Sequence, residues 1–154
     1  MLIWKALHIL SMFTMVVVFI GTEIFYAAAM WRRDAHAMAW VQQTLERAYL
    51  GWIGMGGILL GIIFGLLTAA TGGFDYLAGW LVAAYVLVVL FFVNSAIFGA
   101  KVVRTGKAAM EAEDAGQSLE EVAREMDRRT GLIVVVVNTV IFALIIADMV
   151  LKPF

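Results

Sequence analysis

The chain has 154 residues, of which 64% are hydrophobic and only 15% are charged, whereas soluble domains usually carry about 25% charged residues. The net charge of −1 offers no basic surface for nucleic acid, and the absence of cysteine excludes disulfides and thiolate metal sites. We therefore expect the lipid bilayer to be the main partner of this chain. We do not expect it to bind nucleic acid.

Four apolar stretches are long enough to cross a bilayer as helices, which requires about 20 residues. Backbone groups in lipid must bond within their own segment, so helices are the expected structure. The sequence predicts an all-α polytopic membrane protein with a single domain over residues 1–154, an up-down-up-down bundle with two cytoplasmic helical loops. In chain order, the spans cover residues 2–31, 49–71, 76–100 and 132–151.

One side of the first span carries its polar and methionine residues. At 100° per residue this side forms a continuous stripe, and we expect it to face the interior of the bundle, since polar groups in lipid are costly. The stripe consists of His8, Met12, Met15, Phe19, Thr22, Glu23 and Tyr26.

His8 lies near the outer end of the first span, and three interpretations of it stay open. It can form an outer polar pair with Asp148, which lies near the outer end of the fourth span. It can be an axial ligand of haem b, with a second ligand from elsewhere. As a weaker alternative, it can join Met12 and Met15 in a soft copper(I) site.

The first loop, residues 32–48, is predicted to be helical because Asp34 can cap its start and apolar residues recur at helical spacing after it. The second span then carries Gly57, Gly61 and Gly65, two overlapping GxxxG motifs that allow helix backbones to approach closely. They indicate either helix packing within the bundle or an interface for a homo-oligomer or a larger membrane complex.

A buried polar layer is predicted where the first, third and fourth spans reach the same depth. Counting the helical rise from the span ends puts Glu23, Asn94 and Asn138 at one height, with Ser95 beside them. The layer can be interhelical hydrogen bonding, or it can be a proton or ligand site built on Glu23.

The second loop, residues 101–131, contains a helix-capping sequence at Ser118 to Glu121, and residues 107–116 are expected to be flexible. Basic residues are concentrated in the two loops, while the other side has only Lys5 and Lys152. This bias predicts cytoplasmic loops at 32–48 and 101–131 and both termini outside. The loop residues are Arg32, Arg33, Arg47, Lys101, Arg104, Lys107, Arg124, Arg128 and Arg129.

The opening "WKALHILSMF" and the ending "ADMVLKPF" resemble small four-helix bacterial membrane proteins, including the integral membrane family numbered two-two-six-nine among domains of unknown function. That resemblance implies the fold and the bacterial inner membrane, and it implies no reaction. The opening also resembles J-type protoporphyrinogen oxidases and copper-resistance D-type membrane proteins. Lys5 and His8 match the Lys-x-x-His pattern of the oxidases, but "FYAAAMWRR" (25–33) lacks the proline of their next motif.

We expect the chain to be a non-enzymatic accessory or interaction module of the bacterial inner membrane. The alternative is a haem b-binding redox protein related to porphyrinogen oxidases, with His8 as axial ligand and Glu23 as a proton relay. Copper handling through His8, Met12 and Met15 is the weaker alternative.

Overall fold

The computed structural model describes residues 2–151, and helices form nearly all of that range. Lys152, which contributed to the charge count, lies outside the described residues. The helices are α1 (Leu2–Arg32), α2 (Ala35–Arg47), α3 (Leu50–Gly72), α4 (Gly79–Asn94), a π-helical segment (Ser95–Gly99), α5 (Ala100–Asp114), α6 (Glu120–Glu125) and α7 (Arg128–Leu151).

Within residues 2–151, four helical stretches are long and apolar enough to cross a membrane: α1, α3, the continuous run from α4 through α5, and α7. The all-α polytopic fold predicted from the sequence is confirmed. We call the side that carries α2, α5 and α6 the loop side. The opposite side, where a tight turn at residues 73–78 joins α3 to α4, is the turn side.

The long helices pack in the spatial order α3, α1, α7, α4. α3 packs mainly on α1, α1 also packs on α7, and α4 packs mainly on α7. The centre of the membrane region is an apolar cluster in which the ring of Phe91 contacts those of Phe19 and Phe142, at centroid distances of 5.9 and 5.0 Å. The cluster is built on Met15, Ile58, Phe91, Ile141, Phe142 and Ile145.

A second apolar cluster closes the loop side, where α2 packs against α5. Asp34 caps α2 as predicted, because its carboxylate accepts a hydrogen bond from the Ala37 N–H at 2.9 Å. The buried residues of this cluster include Met30, Met38 and Met126, so flexible thioether side chains fill much of the space.

The expectation of a flexible stretch at residues 107–116 is wrong for most of its length, since α5 continues to Asp114. The physical reason is burial of small residues on the inner face of α5: Gly106 is buried and Ala109 is fully buried. The capping sequence also differs in detail, because the Ser118 hydroxyl accepts from the Glu120 N–H at 3.3 Å and makes no reciprocal pair with Glu121.

Candidate functional site

Asn138 is the centre of a hydrogen-bonded polar layer between α1, α7 and the end of α4. Its side chain is fully buried, and its Nδ2 donates to Glu23 Oε1 at 2.6 Å and to Ser95 Oγ at 3.4 Å. Its Oδ1 accepts from Asn94 Nδ2 at 2.8 Å. The structure therefore brings together Glu23, Asn94 and Asn138, whose height was estimated from the sequence, and Ser95, which was expected beside them.

The π-helical segment begins inside this layer. Neighbouring residues on a regular α-helix point about 100° apart, yet Asn94 and Ser95 both reach Asn138. The π-helical turn starts at Ser95 and changes the helical repeat there. Such insertions occur often at functional sites, and nothing in the hydropathy pattern of the third span indicated this one.

Glu23 keeps one oxygen without a partner. Its Oε2 is buried and has no hydrogen-bond partner among the described residues, while Oε1 accepts from Asn138. A carboxyl group with an unsatisfied oxygen in the membrane region is energetically costly, which marks Glu23 as a candidate functional residue.

A cavity of about 740 Å³ lies beside this layer, on its loop side. Glu23 and Ser95 from the polar layer contribute to its wall, and Arg104 and Lys107 contribute to it from α5. The remaining wall is mainly apolar and comes from α1, α2, α3, α5 and α7. Its apolar residues include Val18, Phe19, Leu45, Val102, Val103 and Val134.

A second hydrogen-bonded chain runs from the cavity wall to α2. The Tyr26 hydroxyl donates to Gln42 Oε1 at 2.5 Å, and Gln42 Nε2 donates to Glu46 Oε1 at 2.8 Å. α5 passes against this chain at Gly106, where an added Cβ would lie 2.9 Å from Gln42 Oε1 and 3.1 Å from the Tyr26 ring. The glycine therefore allows α5 to pack closely against Tyr26 and Gln42.

The glycine motif of α3 packs against α1. An added Cβ on Gly57 would lie 3.2 Å from the Met15 N atom, and one on Gly61 would lie 2.7 Å from the Met12 sulfur. One on Gly65 would lie 3.0 Å from the His8 ring. The glycines therefore form a groove for the first part of the α1 stripe, from His8 to Met15, and an oligomer contact would use another face.

His8 forms its hydrogen bond with a partner other than Asp148. Its Nδ1 forms a hydrogen bond of 2.7 Å with the Gly61 carbonyl oxygen, because α3 covers this side of α1. Within residues 2–151, no hydrogen bond or ion pair joins His8 to Asp148, and Asp148 Oδ2 is buried without a partner. The outer pair is therefore not formed as a direct contact in this structure.

A metal site at His8 would need ligands other than carboxylates. No group of three or more histidine, aspartate or glutamate side chains in residues 2–151 is placed to hold a metal ion. The copper interpretation thus depends on the sulfur atoms of Met12 and Met15, whose residues pack into the glycine groove. His8 also does not line the cavity beside Glu23.

A family model described as "Predicted integral membrane protein (DUF2269)" matches residues 2–153, nearly the whole chain. The chain belongs to the DUF2269 family. Neither the curated proteins nor the solved structures include a match to it. The resemblance of this DUF2269 protein to J-type protoporphyrinogen oxidases and copper-resistance D-type proteins stays a prediction.

Three residues of the candidate site did not follow from the sequence reasoning. Gln42 lies among the buried residues of α2, and an amide on an apolar helix face is a signal that could have identified it. Arg104 and Lys107 entered only the charge count. Their position on the cavity wall depends on the continuation of the third span into α5, which the end of the apolar run concealed.

Proposed function

We propose that this DUF2269 protein is a non-enzymatic binding module of the bacterial inner membrane, with the cavity beside Glu23 as its ligand-binding site. The cavity itself carries the proposal. Its volume of about 740 Å³ lies within the range of about 300–1,000 Å³ that is typical of small-molecule sites. Mainly apolar walls with a few convergent polar groups are also typical of such sites.

The charge distribution supports an orientation in which the loop side is cytoplasmic. Nine lysine and arginine residues lie in the segments 32–48 and 101–131, and Lys5 is near the other end of α1. Because positive residues near span ends are retained on the cytoplasmic side, both termini would be outside and the cavity would face the cytoplasmic leaflet.

An accessory role in a homo-oligomer or a larger membrane complex is part of the same proposal. The groove formed by Gly57, Gly61 and Gly65 is filled by α1, so the contact would use a lipid-facing surface outside that groove. Large apolar residues such as Ile62 and Leu66 on α3 are exposed and available for it.

The proposal is tested with a variant in which leucine side chains fill the cavity. Gly51 and Gly99 line the cavity, and added side chains have room: a Cβ at Gly51 meets nothing within 4 Å, and one at Gly99 meets only Ser95 Cβ at 3.8 Å. The double variant Gly51→Leu/Gly99→Leu is compared with Gly56→Leu, a position that is equally open but does not line the cavity.

Native mass spectrometry of the full chain, purified in mild detergent, measures the small molecules that are retained. We expect the wild type and Gly56→Leu to carry at least one common adduct that Gly51→Leu/Gly99→Leu lacks. Identical adducts in all three proteins, or none in the wild type, would overturn the proposal.

Haem binding at His8 is a second candidate, favoured by the orientation of the ring. A neutral imidazole that donates its Nδ1–H to the Gly61 carbonyl keeps the Nε2 lone pair for a metal, and such a backbone bond is common for ligating histidines. A Soret band in the purified protein that is lost in His8→Ala would support it. Copper analysis of Met12→Leu/Met15→Leu tests the weaker alternative in the same preparation.

A further inference from the structure

We infer that the cavity beside Glu23 takes one acyl chain of an anionic phospholipid, whose headgroup is bound by Arg104 and Lys107. The inference rests on the proposed function, since it names the ligand class of the same cavity. Three observations carry it: the polarity of the cavity wall, the charge at its edge, and the depth of that edge along the third span.

The polar side chains in the wall are largely satisfied within the protein, so an apolar chain can lie against them. The Thr22 hydroxyl donates to the carbonyl oxygen of Val18 at 2.7 Å, and Ser95 Oγ accepts from Asn138. Glu23 is an exception, because its Oε1 accepts from Asn138 but its Oε2 is buried without a partner among the described residues. The cavity therefore offers hydrocarbon contact to methylene groups along most of its surface.

The edge of the cavity carries net positive charge. Arg104 and Lys107 are one turn apart on α5, are exposed, and make no ion pair among residues 2–151. Besides Glu23 in the polar layer, the acidic residue that lines the cavity is Glu111, which is one turn beyond Lys107 on α5 and makes no ion pair in the described range. Two cations beside the Glu111 carboxylate favour the binding of a phosphate group. The N–H donors of an arginine side chain also match the geometry of phosphate oxygens.

The two cations lie at headgroup depth. Arg104 follows Gly79, the start of the third span, by about 38 Å of helical rise, which exceeds the hydrocarbon thickness of about 30 Å. The π-helical segment and α5 continue the span without a break, so the same helix borders both the hydrocarbon layer and the headgroup layer. A lipid can therefore place its headgroup on α5 while its chain occupies the cavity.

The experiment compares two lipids with identical acyl chains, the anionic phosphatidylglycerol and the zwitterionic phosphatidylcholine. Each is titrated onto delipidated full-length protein, and native mass spectrometry measures binding. The variant Arg104→Gln/Lys107→Gln removes the edge charges. The matched control Lys101→Gln/Arg129→Gln removes one lysine and one arginine that do not line the cavity.

We expect the wild type and the control to bind phosphatidylglycerol about tenfold better than phosphatidylcholine, and Arg104→Gln/Lys107→Gln to lose that preference. A preference that survives in Arg104→Gln/Lys107→Gln would overturn the inference. If Gly51→Leu/Gly99→Leu then still lost binding of both lipids, the proposed binding site would stand without its anion selectivity. If neither variant changed binding, the proposed function would fail as well.

Discussion

The two sides of α1 are built in opposite ways. Towards α3, the first part of the α1 stripe fits a groove made by glycines, with the His8 ring against Gly65 and the Met12 sulfur against Gly61. Towards α7 and α4, α1 presents Glu23 to the amide of Asn138, and a cavity remains open beside the contact. We call the first contact, made at Gly57, Gly61 and Gly65, the glycine seam, because helix backbones approach closely there. We call the second contact, made by Glu23 and Asn138, the polar seam, because directional hydrogen bonds hold it.

The difference shows how one helix can be both a packing element and a binding element. Glycine brings two backbones close together and leaves little volume between them, so the α1–α3 contact is held mainly by close packing. Hydrogen bonds fix side chains at a few points, and the helices can diverge on either side of those points. We therefore expect stability to depend most on the glycine seam and binding to depend on the polar seam.

The largest effect is expected from Gly57→Leu in the glycine seam. The new Cβ would lie 3.1 Å from Ser11 O and 3.2 Å from Met15 N, which are backbone atoms that cannot move aside easily. We expect a loss of about 3 kcal/mol in the free energy of unfolding, measured by denaturation in detergent. Gly56→Leu, one residue away and open, should change it by less than about 0.5 kcal/mol. Equal losses would mean that α1 and α3 do not form this seam.

Asn138→Leu should have the next largest effect, because it leaves a Glu23 oxygen and the Asn94 amide without their partner. We expect a loss of about 2 kcal/mol in the same measurement. Thr139→Val, on the exposed face of α7, is the control. The double variant Asn138→Leu/Glu23→Leu should be less destabilised than the sum of its single variants. Strict additivity would show that the layer is not coupled.

Tyr26→Phe tests the hydrogen bonds that connect Tyr26 of α1 to Gln42 and Glu46 of α2. The change removes the hydroxyl that donates to Gln42 and leaves a buried amide oxygen unsatisfied, which should cost about 1 kcal/mol. Tyr85→Phe is the matched control on the exposed face of α4. Indistinguishable unfolding midpoints for the two variants would argue against the buried hydrogen bond.

The smallest effect concerns the start of α7, which carries Asn138 into the polar seam. The Thr130 hydroxyl and the Arg129 N–H donate to Asp127 and hold the pKa of its carboxyl below the usual value. The ionised form thus stabilises the fold above the usual pKa, and this contribution is lost as the pH falls through the lower folded-state pKa.

The advantage of the wild type over Asp127→Asn in unfolding midpoint should therefore be complete near pH 6 and should shrink between about pH 5 and about pH 2. Asparagine can still cap the helix, so the comparison isolates the charge. A difference that stayed constant across this range would rule out the carboxylate as its source.

Helix periodicity and helical rise accounted for much of the candidate site. The 100° repeat placed Glu23 and His8 on the inner side of α1, and counting residues from the span ends placed Asn94 and Asn138 at the height of Glu23. These inferences need only the geometry of one helix at a time. The structure joins the layer by hydrogen bonds at the same height.

Contacts that depend on which helices become neighbours did not follow from the sequence. The expected contact of His8 with Asp148 assumed that α7 covers the outer end of α1, but α3 covers it and supplies the Gly61 carbonyl. The hydrogen bond between Tyr26 and Gln42 forms because α2 packs against α1. It also requires α5 to pack closely against both residues at Gly106. The hydropathy of a sequence does not predict which helices pack against each other.

The sequence by itself determined that this chain crosses a membrane four times and which face of α1 is buried, since lipid rejects unpaired polar groups and a helix has a fixed repeat. Only the tertiary structure decided that the α3 glycines pack against α1 and that the third span continues through a π-helical segment into α5. It also decided that a cavity remains beside Glu23. These features depend on how side chains of different helices fit together, which the spacing of residues within one helix does not specify.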